Sequence, residues 1–119
     1  MKLFVDKISH PSRFCLQFCK LNKIKVQEIH VNLLKGQNKT HSELPLMKQI
    51  PVLKCNQLTI SQSTTILRFL AQTENVPEDF FPRKCPEKSA EVNEFMDFFH
   101  FSMNSVKNLN FLFNSFLLV

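Results

Sequence analysis

The chain has no tryptophan or tyrosine, a single glycine, and four cysteines without a Cys-x-x-Cys pair. The scarcity of glycine and the lack of paired cysteines each remove a class of function. Glycine-rich loops that cradle phosphates need several glycines in one turn, so motifs of that kind are excluded. Cys15, Cys19, Cys55 and Cys85 lack the paired spacing of a zinc site, so no metal is expected, and a dithiol redox mechanism has no residues to run on. Lysine and arginine never run beyond two in a row. The net charge of +5 therefore reads first as a plain solvated basic face and otherwise suits anionic small molecules or acidic surfaces, and nucleic acid is not an expected partner. No membrane span is expected either, since the uncharged stretch from Leu109 to Val119 is shorter than the roughly 20 apolar residues a span needs. At the other end, Met1 to Val5 meets Asp6 and Lys7 too soon for the apolar core of a signal peptide. A cytoplasmic setting is expected, with Cys15 and Cys19, four apart on one helix face, as reduced core thiols.

What is present suffices for a globular domain: 119 residues, 44% apolar, with thirteen phenylalanines. Lys2 to Asp6 suits a strand. Ser9-His10-Pro11-Ser12-Arg13 breaks it and starts a helix, with Pro11 where a lost amide is tolerated. Phe14, Leu16, Phe18 and Leu21 with both cysteines make that helix mostly apolar and expected to be buried, and Val26 to Val31 suits a second strand. Strand–helix–strand implies parallel strands and a right-handed crossover. Leu33 to Gln49 is a polar surface connection with room for one short helix.

The stretch from Ile50 to Leu70 carries the most information. Two short apolar runs flank Asn56-Gln57, the pattern of a tight hairpin. A helix follows, with Ser61 as the expected N-cap and Ile66, Leu67, Phe69 and Leu70 on its apolar face. Pro51 opens the first strand, where a missing N–H costs least. Ile50-Pro51 is also a candidate cis bond, which would leave the main chain of Ile50 free to pair with an extended ligand. Ser63 lies in the first helical turn, beside free amides that suit a carboxylate; taken alone it is also an ordinary first-turn serine.

The order β-α-β then β-β-α is the thioredoxin-like arrangement, an α/β fold with a mixed four-stranded sheet, over residues 1–76. Residues 77–85, with Pro77 and Pro82, read as a linker. Pro86 and Glu87 open a further helix with an apolar stripe of Val92, Phe95, Met96, Phe99, Met103 and Val106. Residues 86–119 are expected to be the first helix of an incomplete all-helical second domain.

These pieces together resemble the N-terminal part of the glutathione transferases, most closely the theta class. The resemblance rests on Leu3-Phe4-Val5-Asp6 leading into Ser9-His10-Pro11-Ser12-Arg13, and on Leu34-Lys35-Gly36-Gln37-Asn38-Lys39. It rests equally on Ile50-Pro51, Gln62-Ser63-Thr64-Thr65-Ile66-Leu67 and Val92-Asn93-Glu94-Phe95. It implies that Ser9 is the catalytic serine, donating a hydrogen bond to the sulfur of glutathione. Pro51 matches the cis-proline, with Ile50 pairing to the cysteinyl unit. Gln62 and Ser63 match the pair that holds the γ-glutamyl end, and Asn38 and Lys39 match positions that hold the glycyl carboxylate. The family uses glutathione as co-substrate with no further cofactor, acts on a small hydrophobic electrophile, and forms homodimers when full length.

The chain departs from the family where Asn38 stands for histidine, Gln62 for glutamate and Phe98 for tryptophan. The segment from Leu44 to Gln49 is shortened, and most of the domain that builds the electrophile pocket is not in the sequence. Read without the resemblance, Ser9 is also a helix-capping serine, with Ser12 its rival for the sulfur, and His10 is expected to face solvent. A module that keeps the fold as a binding or interaction surface without the chemistry is the alternative function.

Overall fold

Alternation along the first strand sends Leu3 and Val5 to one face of a sheet and Phe4 to the other. A computed structural model describes the backbone of residues 1–116 and the side chains of residues 1–102. It runs β1 (Lys2–Val5), α1 (His10–Leu21), β2 (Gln27–His30), α2 (Gln37–Thr40), β3 (Val52–Cys55), β4 (Leu58–Ser61), α3 (Ser63–Thr73) and α4 (Pro86–Phe116). The strands form one sheet in the order β2-β1-β3-β4. β1 and β2 are parallel, while β3 runs antiparallel to both β1 and β4. This is the thioredoxin-like arrangement that the element order implies. The chain divides into two compact units, Met1–Phe80 and Phe81–Val119.

In the first unit, Phe4 and Val52 on one sheet face join Val31 and Leu44, with Ile29 and Ile50 packed against them. On the other face Leu3 and Leu53 are fully buried. α3 packs on β3 and β4, and α1 packs against α3. The apolar face of α3 is Ile66, Leu67, Leu70 and Ala71, all buried. Asn56, at φ 54, turns the hairpin between β3 and β4 as the polar pair implies.

Two expectations are corrected. Ser61 does not cap α3. Its pairing with Val52 holds it in β4, so the chain turns one residue later at Gln62 (φ 74), which makes no side-chain cap bond. α1 is not buried all round. Its buried side is Ser12, Cys15, Phe18 and Cys19, and Leu21 falls beyond that stripe, 67% exposed.

In the second unit α4 is a single 31-residue helix from Pro86. Met96 is buried, and Val92 and Phe99 are half-buried, whereas Phe95, Phe98 and Phe101 are exposed. The expected stripe positions Met103 and Val106, and the uncharged end of the chain, lie outside the residues whose side chains are described.

The four cysteines are all free. Burial pushes the Cys15 thiol far up, and burial with Glu28 and Glu74 pushes Cys19 up to about 11. A thiolate-selective reagent at pH 8 is therefore expected to modify Cys55 and Cys85 in the folded chain. Cys15 and Cys19 should react only after unfolding, which peptide mass mapping before and after denaturation checks.

Candidate functional site

The sheet register decides which residues can meet. Val52 is paired on one side with Phe4 and on the other with Ser61. One step beyond this row, at the same end of the sheet, lie Val5, Pro51 and Gln62. The loop from β1 into α1, the entry to β3 and the start of α3 therefore share one end of the sheet. β2 ends there too, since the Val31 amide donates to the Val5 carbonyl at 2.9 Å, and α2 follows it. The topology thus brings Ser9, Ile50, Pro51, Gln62 and Ser63 to a common edge, with the α2 segment of Asn38 and Lys39 reached from the neighbouring strand.

Ser9 is the N-cap of α1, nearly buried, and its Oγ accepts the Ser12 amide at 3.4 Å. That bond uses a lone pair. The hydroxyl hydrogen is not given to any acceptor among the described residues, so capping and donation to a ligand are compatible in one side chain. Ser12, its rival in the sequence, is fully buried and accepts the Asp6 amide at 3.4 Å, so it ties the helix to β1. His10, expected to face solvent, is half-buried as the first residue of α1.

The Ile50–Pro51 bond is cis, and Pro51 is buried. Among the described residues no hydrogen bond engages the main chain of Ile50. Ser63 is the first residue of α3 and 2% exposed, and its carbonyl lies 3.9 Å from the Cys15 sulfur, tying α3 to α1. Gln62 is exposed beside it.

α2 is a single turn, and its two named residues differ in setting. Lys39 is exposed. Asn38 is half-buried and spends one amide hydrogen on the Lys48 carbonyl at 2.8 Å. Lys48, at φ 51, turns its own ammonium back onto the carbonyls of His41 (2.9 Å) and Leu44 (3.4 Å). Asn38 thus holds the loop that delivers the chain to Pro51. Among the described residues no cluster of histidine, cysteine or carboxylates could hold a metal. No helix among them is long and apolar enough to cross a membrane.

This sheet order, with a cis-proline opening β3 and a serine capping the first helix, defines a thioredoxin-like domain. No protein-family model matches the chain. Glutathione S-transferase theta-2 of Rattus norvegicus is 34% identical over 98 residues, which are 81% of this chain and 40% of the relative. Glutathione S-transferase theta-1 of Homo sapiens is 29% identical over 102 residues, 84% of this chain and 42% of that one. The crystal structure of human glutathione transferase theta-2, in complex with glutathione and an unknown ligand, matches with a TM-score of 0.77. That match is 29% identical and covers 82% of this chain and 40% of the other. The chain is similar to the glutathione transferases, and among them to the theta class. It spans about two fifths of the length of the curated relatives it matches.

One residue at this end escapes any reading of the sequence. Asp6 is buried, and its carboxylate accepts the amides of Leu33 (2.8 Å) and Ile8 (3.1 Å), with His30 Nε2 at 3.7 Å. It clamps the loop before α1 to the loop before α2. The Leu33 amide foremost, then that of Ile8, holds its carboxyl below the ordinary 3.8, while burial opposes them. A lowered folded value means that the clamp stabilises the chain above pH 3.8 and fails as pH falls through that lower value. Thermal unfolding followed from pH 6 down to pH 2 is expected to show a loss of Tm in the acid range. Asp6→Asn should lower Tm at pH 6 and flatten that acid-range loss.

Proposed function

We propose that the chain binds glutathione across this edge of the sheet, and that the protein transfers the glutathione thiolate to small hydrophobic electrophiles. The observation that carries this is the row Phe4–Val52–Ser61, which sets Ser9, Pro51 and Ser63 at one end of three adjacent strands. Two strand spacings are about 10 Å. An extended tripeptide reaches about the same distance. The γ-glutamyl carboxylate lies at the first turn of α3, near Ser63 and Gln62, where main-chain amides and the helix dipole favour an anion. The cysteinyl unit pairs with the open main chain of Ile50, which Pro51 presents. Lys39 meets the glycyl carboxylate, and Asn38 supports it by fixing the adjacent loop.

The chemistry needs an anionic sulfur. A thiol near pKa 8.5 is mostly protonated at pH 7, and lowering it by two units takes about 2.7 kcal/mol of preference for the charged form. A charge-assisted hydrogen bond supplies roughly 1.5–3 kcal/mol. The start of a helix adds about 0.3–1 kcal/mol. The Ser9 hydroxyl at the N-terminus of α1 is of the right size. The thiol proton leaves to solvent, and the sulfur lone pair forms the new bond to carbon. The electrophile's leaving group departs with its electron pair, or its π bond takes up the charge. Ser9 attacks nothing and needs no base. The protein works in the cytoplasm as a homodimer, with glutathione as co-substrate and no further cofactor.

Retention on immobilised glutathione tests the site. The chain is expected to be retained, and Ser63→Ala to weaken retention by about tenfold or more, the size of one hydrogen bond to a charged group. Ser9→Ala should be retained like the parent, while ultraviolet titration of the bound thiol shows its pKa raised toward the free value. An unchanged thiol titration in Ser9→Ala would remove the serine from the chemistry.

A further inference from the structure

The far end of the sheet holds a second cleft, of about 700 Å³, lined in part by Lys2, Lys25, Gln27, Glu43, Lys54 and Asn56. Its floor contains an electrostatic conflict. Lys2 of β1 stands directly opposite Lys54 of β3, and Gln27 and Thr59 continue the same row. Residues paired across strands point to one face, and like charges so placed destabilise a sheet. Glu43, from the loop above, lies between them at 3.3 Å from the Lys2 ammonium and 3.9 Å from that of Lys54. The Lys54 ammonium also stands 5.8 Å from the centroid of the Phe4 ring, which fixes its direction. Lys25 completes the cleft without an ion pair among the described residues.

One carboxylate cannot neutralise three ammonium groups, and three lysines less Glu43 leave a charge of +2. A phosphate ester carries about −1.5 to −2 at pH 7 and three acceptor oxygens. We infer that this cleft binds the phosphate group of a small soluble phosphate ester, held by Lys2, Lys25 and Lys54 with Glu43 as the internal anion it displaces. The amides of Gln27 and Asn56 are further donors at its rim. The site is separate from the proposed glutathione edge, because it lies at the opposite ends of β1 and β3.

The test uses the whole chain at constant ionic strength, titrating glycerol 3-phosphate while NMR follows the lysine side-chain signals. Saturable shifts at Lys2, Lys25 and Lys54 are expected at millimolar ligand or below. Glu43→Gln should tighten binding about fivefold, the effect of one unit charge over about 4 Å in water, and Lys25→Met should weaken it by about as much. Both variants should keep the parent's retention on glutathione, which shows that they are folded. Absence of saturable shifts, or weaker binding in Glu43→Gln, would overturn the site and leave the Lys–Glu–Lys contact a purely structural one. A phosphoserine peptide serves as a second arm. Binding no tighter than glycerol 3-phosphate supports the assignment, and binding tenfold tighter would move it to a phosphorylated protein chain.

Discussion

The pairing of β3 with two strands at once is the constraint on which everything else depends. Because Val52 is held by Phe4 on one side and Ser61 on the other, three chain segments distant in sequence arrive at the same edge in a set order. The two helices that start there, α1 and α3, begin within a strand spacing or two of each other. Their packing, through Cys15 and the Ser63 carbonyl among other contacts, keeps those starts in place. The buried side chains Leu3, Phe4, Val52 and Leu53 anchor the register from both faces. A slip of one residue would exchange those faces and separate Ser9 from Pro51.

The loops at that edge are held by polar groups that the core does not reach. The Asp6 carboxylate joins two loops, and Asn38 with Lys48 shapes the approach to Pro51. Neither group needs to touch a ligand to matter. They set where the residues that could do so stand, as the supporting shell of a site generally does.

Much of this was legible in the residues themselves. The apolar run of Lys2 to Asp6, the Asn56-Gln57 turn, Pro11 near the helix start and the apolar face of α3 are local signals, and the structure carries each of them. Ser9 was readable as a cap from its neighbours alone, and as a sulfur partner only through the family resemblance. What escaped was non-local. Ser61 looked like a cap until its partner Val52 kept it in the ladder, and Asp6 takes an amide 27 residues away. Leu21 was apolar in a helical repeat, yet its position lies off the buried face of Ser12, Cys15, Phe18 and Cys19. The phenylalanines of α4 at 95, 98 and 101 are equally apolar and equally outside the buried set.

Ser9 carries a consequence of its own. The oxygen that starts α1 by accepting the Ser12 amide is also the one whose hydrogen, on the function proposed above, goes to the glutathione sulfur. On that proposal, fold integrity and reactivity are drawn from a single atom and cannot drift apart. An alanine there would give up the helix cap and the proposed donor together, while leaving the rest of the edge in place, and a threonine would keep a hydroxyl for both. On that proposal the position is constrained for two unrelated reasons, so invariance found there would not by itself reveal which of them enforced it.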